Sequence, residues 1–212
     1  MRYVLRVWLP DKPGALGRVA SAIGSVGASL VAIEILEQDG GWAIDELAVE
    51  AVESDNAEEK LVAALQFVDG VQIESILSTP RPMSDPRVSA LETAVELVEQ
   101  QKASALMERL VERAVSDLSA DWAVLLAFDG DEPLAASGDA PRTAWVNAFL
   151  AGSRAATGTT MSGPEDIAWT ELAQSQYALV LGRDGRPFRL REREQLGALA
   201  RIADKRLVEL PN

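Results

Sequence analysis

Apolar and polar residues alternate from Tyr3 to Leu9, with Tyr3, Leu5, Val7 and Leu9 on one side and Val4, Arg6 and Trp8 on the other. A period of two predicts a half-buried strand. From Leu16 the period lengthens: Val19, Ala20, Ile23 and Val26 follow at helical spacing and predict an amphipathic helix. Gly27 is placed to cap its end. Leu30 to Gln38 predicts a second strand with Val31, Ile33 and Ile35 on one face, and Asp39-Gly40-Gly41 predicts a tight hairpin. Trp42 to Val52 returns as a third strand. Ile44, Glu46, Ala48, Glu50 and Val52 lie opposite Asp45, Leu47, Val49 and Ala51. Asn56 is placed to cap a helix running through Phe67, with a stripe of Leu61, Ala64, Leu65 and Val68. Asp69-Gly70 then turns the chain into a short strand, Val71 to Leu77. The order βαββαβ is the split-βαβ arrangement.

Ser78 to Pro86 breaks the pattern. Three prolines, two serines and a threonine in STPRPMSDP predict a linker between a domain at 1–77 and another at 87–212. Beyond it, Ser89 to Leu118 is helical in pattern almost throughout. Leu91, Ala94, Val95 and Val98 form one stripe, and Leu106, Leu110, Val111, Ala114 and Leu118 another. Glu99 to Lys102 separates them, so the pattern fits two helices or one long helix whose buried face changes partner. Core packing is the expected use of both stripes, with an intermolecular helix pair as the alternative for the first. Trp122 to Phe128 is an unbroken apolar run and predicts a central strand. Asp129-Gly130-Asp131 turns it into Glu132 to Ser137. Pro141 is expected at the first position of a helix carrying Trp145, Phe149 and Leu150. Ile167 to Leu172 and Tyr177 to Leu181 predict two more strands, and Glu192 to Leu210 a closing helix.

Composition narrows the chemistry. The 212 residues contain no cysteine and no histidine. That removes thiol chemistry, the usual general base and the commonest neutral metal ligand. A net charge of −13 works against non-specific nucleic-acid binding. No apolar run approaches a membrane span, and Met1-Arg2-Tyr3 leads straight into strand pattern without a signal-peptide core. The expectation is a cytoplasmic, non-enzymatic protein without cofactor, metal, membrane or nucleic-acid partner.

The break at Pro10-Asp11-Lys12-Pro13-Gly14 has chemistry of its own. Pro13 lacks an N–H and holds φ near helical values. Gly14 admits conformations that a Cβ forbids. The first N–H groups of the following helix then face the turn as an anion site. The strand, the Asp-Lys-Pro-Gly-Ala-Leu turn and the helix resemble the start of an ACT domain, with matching pieces from about Tyr3 to Leu77. The resemblance implies a ferredoxin-like regulatory module. In that family ligands often lie at a dimer interface, against the loop before the first helix and the start of the second strand. Here those positions are Asp11, Lys12, Pro13, Gly14, Ala15 and Leu16, then Ser29 and Leu30. Some serine-binding members carry a His–Asn pair in the loop and an Asn in the second strand. This chain has Leu9, Asp11 and Ser29 there, so the ligand's identity does not carry over.

The second half, roughly Leu91 to Leu210, resembles a GAF domain. The resemblance rests on the leading helix, the strand pair around Asp129-Gly130 and the closing run ALVLGRDGRPFRLREREQLGALARIA. It implies an antiparallel sheet with flanking helices, a strand shorter around Thr157 to Pro164. With no Cys for a bilin and no His for haem, the chromophore-binding members are excluded. The fold class expected for the whole chain is therefore α+β.

Other clusters have plainer explanations. Arg183, Arg186, Arg189, Arg191 and Arg193 put five charges in eleven residues, and a solvated turn and helix start is the expected use. Asp45 and Glu46 are adjacent on a strand, so they face opposite ways and cannot act on one substrate. Asp129, Asp131 and Glu132 lack the remaining ligands of a calcium loop. The expected function is a homodimeric regulatory protein that binds an amino acid or similar small carboxylate through Asp11, Pro13, Gly14, Ala15, Leu16, Ser29 and Leu30. The alternative is a dimerisation or partner-binding module with no small ligand.

Overall fold

The computed structural model describes residues 1–52, 56–79, 85–128, 130–155 and 164–210. The chain divides into two compact units, the first holding Met1–Asp85 with Arg189–Arg191, the second the remainder. The fold class is α+β, with one antiparallel four-stranded sheet in each unit.

The first unit runs β1 (Arg2–Pro10), α1 (Ala15–Ser25), β2 (Ala28–Asp39), β3 (Trp42–Ala51), α2 (Ala57–Gln66) and β4 (Gln72–Thr79), with sheet order β2-β3-β1-β4. It is ferredoxin-like. The first strand in sequence is central: β1 pairs with β3 from Arg2↔Glu50 to Pro10↔Trp42, and with β4 from Arg2↔Thr79 to Trp8↔Gln72. Its odd positions Tyr3, Leu5, Val7 and Leu9 meet Leu47 and Val49 of β3, Val19 and Ile23 of α1, and Leu61 and Leu65 of α2 in one core. Cross-strand ion pairs Arg2–Glu50 at 2.6 Å and Arg6–Glu46 at 2.8 Å join residues directly opposite each other, which pins the register. Asn56 sits at the N-cap of α2 but makes no side-chain capping bond to it. β2 is an edge strand with bulges at Leu30/Ala32 and Ile35/Glu37. Val31, Ile33 and Ile35 on it remain 52%, 43% and 43% exposed.

The second unit runs α3 (Pro86–Glu99), α4 (Ala103–Asp117), β5 (Trp122–Ala127), β6 (Pro133–Gly138), α5 (Thr143–Ala155), β7 (Ile167–Leu172), β8 (Tyr177–Gly182) and α6 (Leu190–Glu209). Its sheet order is β6-β5-β8-β7. The solid apolar runs are explained by burial on both faces. Ala123, Leu125, Leu179 and Leu181 pack with Leu106, Leu110 and Val111 of α4 and with Leu196, Ala200 and Ala203 of α6. Val124, Leu126, Ala178 and Val180 pack on the other side with Val146 and Leu150 of α5.

Several expectations change here. The linker expected at 78–86 starts later, because Ser78 and Thr79 still belong to β4, and Pro86 already opens α3. Residues 80–84 and Asp129 lie outside the described residues, as does nearly all of the segment in which the sheet was expected to lose a strand. Pro141 precedes α5 rather than opening it, and the N–H groups of Trp145 and Val146 both reach the Arg142 carbonyl.

The helical stretch is two helices, and the first stripe is not core. Leu91, Val95 and Val98 are 68%, 55% and 52% exposed, while Thr93 and Leu97 are buried. The cause is polar. Thr93 Oγ1 donates to Asp117 Oδ2 at 2.6 Å and accepts from Arg113 Nε at 2.6 Å, and Arg113 Nη2 lies 3.3 Å from Asp117 Oδ1. This cluster turns the Thr93 side of α3 onto α4 and leaves the apolar stripe outside.

The arginine cluster is not a uniformly solvated turn either. Arg183 is 3% exposed. Its guanidinium donates to Glu192 at 2.7 and 2.8 Å, to the carbonyls of Leu118 and Pro187 at 2.8 and 2.7 Å, and through Nε to that of Arg186 at 2.8 Å. The plane also stacks 4.0 Å from the centre of the Phe188 ring. Arg186 reaches the Ser119 carbonyl and Arg193 those of Phe188 and Ile167. These charges stitch loops to the sheet.

Candidate functional site

The turn between β1 and α1 stands at the same end of the first sheet as the β2–β3 hairpin, because the Asp11 N–H donates to the Gly41 carbonyl at 2.9 Å. Gly14 is the N-cap of α1 and sits at φ 83°, ψ −5°, a left-handed conformation unlike the usual extended cap. A glycine is what the position needs. No side chain caps the helix. Its first i→i−4 bond is Arg18 N–H to Gly14 O at 3.1 Å. The N–H groups of Leu16 and Gly17 precede that bond and have no helical acceptor. The Ala15 N–H is committed to the Lys12 carbonyl at 3.1 Å. Ala15 itself is 3% exposed and packs in the core, with Leu16 against it.

Asp11, Lys12, Pro13 and Gly14 are exposed around this helix end. Ser29 and Leu30 are not with them. They begin β2, with Ser29 opposite Glu50, at the far end of the sheet. The strand from Ser29 to Asp39 spans about 30 Å at the usual rise. One chain therefore assembles Asp11, Pro13, Gly14, Ala15 and Leu16, and does not bring Ser29 or Leu30 to them.

Two residues outside the expected set also bear on the turn. Arg18 lies four residues beyond Gly14, and its Nη1 stands 3.8 Å from where a Cβ on Gly14 would be. The i,i+4 spacing was the available signal. Asp45 is the other. Its parity on β3 matches Leu47 and Val49, so it faces the helix layer, where it is 2% exposed, and its Oδ1 has no hydrogen-bond partner among the described residues. Burial, and then the neighbouring Asp11 carboxylate, hold its pKa above the ordinary 3.8.

That shift predicts a pH effect. The folded chain holds the Asp45 proton more tightly than the unfolded chain does. Its stabilising contribution is complete below 3.8 and is lost as pH rises through the folded value. Asp45→Asn escapes that loss. Its urea midpoint should exceed the wild type's at neutral pH, because the amide carries no charge for burial and the Asp11 carboxylate to penalise. The gain should shrink as pH falls toward 3.8. A difference independent of pH would refute this account.

Residues 3–70 match the ACT domain family. No curated protein matches the chain. Solved structures with similarity include GqqA, described as a novel type of quorum quenching acylase, at 18% identity and TM-score 0.29, covering 37% of this chain and 43% of that one. The GAF domain of the cyanobacteriochrome TePixJ is 19% identical at TM-score 0.36, covering 53% of this chain and 93% of that domain. The bacteriophytochrome RpBphP3 from R. palustris is 14% identical at TM-score 0.45, covering 84% and 48%. The chain thus spans less than half the length of GqqA and of the bacteriophytochrome. Among the described residues no helix is long and apolar enough to cross a membrane.

Proposed function

We propose that this protein is a non-enzymatic sensor whose ACT domain binds an amino acid or similar small carboxylate at the β1–α1 turn. The observation that carries this reading is the helix end itself: a left-handed Gly14 at an uncapped N-terminus, with the Leu16 and Gly17 N–H groups ahead of the first helical bond and the Arg18 guanidinium beside them. Backbone donors, a helix dipole and a guanidinium together suit a carboxylate. Asp11 stands on the same turn as an acceptor for a ligand ammonium.

The working form is a homodimer paired along β2. That edge presents a long strand with half-exposed Val31, Ile33 and Ile35, and open edges are ordinarily paired or covered. Two-fold pairing runs the two β2 strands antiparallel. The Ser29–Leu30 end of one copy then lies beside the turn of the other, which is how those residues join the site. Light scattering should give a dimer at micromolar concentration, and a monomer would count against this assembly.

A thermal-shift screen against the common amino acids tests the ligand, because binding to the native state raises apparent stability. For a ligand so found, Asp11→Ala should weaken binding by about 1.5–3 kcal/mol, the worth of a hydrogen bond to a charged group. Gly14→Val should abolish binding, since a β-branched residue is strained at φ 83°. A dimer with no shift from any amino acid would favour a module that only dimerises or binds a protein partner.

A further inference from the structure

The apolar stripe on the outside of α3 has a spacing of its own. Val88, Leu91, Val95 and Val98 recur at intervals of three, four and three residues, and Val88 joins the other three in being exposed, at 48%. That is the a/d seam of a coiled coil, with Val at both a positions and Leu at the first d. Thr93 and Leu97 occupy the opposite face and are buried. The bonds joining Thr93 to Arg113 and Asp117 hold that face on α4, so rolling the helix to bury the seam would break them. Single exposed apolar residues need no explanation, but a contiguous row on one helix marks an interaction surface. The flanks of the seam carry charge. Arg87 precedes Val88 at position g, and Glu92 follows Leu91 at position e. In a parallel pair of helices, position g of one faces the following e of the other, and charges there set the orientation. Arg87 therefore meets Glu92 of the other copy, and two-fold symmetry makes that pair twice. An antiparallel pair would bring the two Glu92 flanks together instead. Valine at a with leucine at d also favours two parallel strands.

We infer that the outer face of α3 is a self-association surface whose occupant is α3 of a second copy of this chain, packed parallel about a two-fold axis. The same patch serves on both copies. Val88 and Val95 stack on their own counterparts, Leu91 and Val98 on theirs, and Arg87 pairs with Glu92 across the seam. A free helix of 14 residues is marginal in water. Here the helix is already formed against α4, so association does not bear the cost of ordering it. The contact belongs to the second unit. It is separate from pairing along β2 and does not rest on the amino-acid reading of the turn.

A chain without cysteine lets the contact be read by position in the full-length protein. Leu91→Cys places one thiol on the seam, and Ala90→Cys places one at an exposed position off it. Each variant is incubated with oxidised glutathione and run on a denaturing, non-reducing gel. A disulfide needs the two Cα atoms within about 7 Å of each other, which a parallel seam provides at Leu91 and denies at Ala90. Leu91→Cys should become a covalent dimer in most of the protein, and Ala90→Cys should stay a monomer. Adding Arg87→Glu to Leu91→Cys should cut the cross-linked fraction several-fold, and adding Glu92→Arg as well should restore it. Mass in solution does not distinguish this contact from pairing along β2, whereas the position of the cross-link does. If Leu91→Cys closes no more than Ala90→Cys, something other than a second copy covers the stripe and the inference is overturned. If only a mixture of Leu91→Cys with Val95→Cys closes, the helices run antiparallel, and the parallel pairing with its Arg87–Glu92 contact is wrong. Neither result bears on the amino-acid reading, which stands or falls on the ligand screen.

Discussion

Glu192→Ala should cost the second unit about 3–5 kcal/mol, the usual effect of stranding one partner of a buried ion pair. The Arg183 side chain is fully buried and that of Glu192 is 10% exposed. Between them run two parallel bonds of 2.7 and 2.8 Å, the forked geometry that suits guanidinium and carboxylate. The remaining donors of Arg183 hold the Leu118, Arg186 and Pro187 carbonyls, so one cation ties the end of β8 to the segment after α4 and to the start of α6. Alanine at 192 leaves that cation desolvated with neutral acceptors alone. Arg183→Lys should also destabilise the unit, because an ammonium cannot reproduce five planar donors. Urea unfolding followed by tryptophan fluorescence reads both. A loss below about 1 kcal/mol for Glu192→Ala, the range of an exposed pair, would show that water replaces the carboxylate and that the pair is not a structural centre.

Gly138→Ala should cost about 2–5 kcal/mol, combining left-handed backbone strain with overpacking. Gly138 ends β6 at φ 75°, and a Cβ there would stand 2.0 Å from the Asp121 carbonyl oxygen and 3.0 Å from Trp122 Cα. These are backbone atoms and have little room to move. The same tryptophan closes on the other neighbouring strand, where a Cβ on Gly182 would meet its indole at 2.2 Å. Gly152→Ala is the paired control. Gly152 lies within α5 with nothing within 4 Å of its would-be Cβ, so alanine there should stabilise by about 0.5–1 kcal/mol. If Gly138→Ala and Gly152→Ala unfold at similar urea concentrations, the close approach of β6 to Asp121 is not a real constraint.

The strand and helix order was legible because period-two and period-3.6 patterns reflect which face is buried. Leu5, Val7 and Leu9, or Leu106, Leu110 and Val111, announce their burial by spacing alone. The unbroken run at Trp122–Phe128 was equally plain, since only a strand covered on both faces needs it. Two of the failures share a cause: a polar group settled the outcome. Thr93 faces α4 because Arg113 and Asp117 wait for it there, which overrides the apolar stripe on the same helix. Arg183 reads as a surface charge until Glu192 and three carbonyls surround it. Partners distant in sequence leave no periodic trace.

The site was legible in part for the same reason. Proline and glycine mark the β1–α1 turn locally, so Asp11 to Leu16 could be found. Arg18 needed only the helical spacing from Gly14. Asp45 needed its parity taken seriously. It stands in the alternation of Leu47 and Val49, where a carboxylate is out of place, and that misfit was the signal. Ser29 and Leu30 belong to the other end of the sheet, a separation that follows from α1 carrying the chain away from the turn.

Each sheet also begins with a strand that ends up inside it. β1 waits between β3 and β4, and β5 between β6 and β8. During synthesis the first unit has all four strands once Thr79 is made, whereas β5 remains unpaired on one side until Tyr177–Gly182 arrives. Long-range pairing of this kind is slow and leaves apolar surface open in the interval. Translation therefore imposes an order, in which the first sheet has all its strands while the apolar run Trp122–Phe128 is still waiting for its partner. That waiting period is where this chain is most open to aggregation, and a pause in translation before Tyr177 would lengthen it.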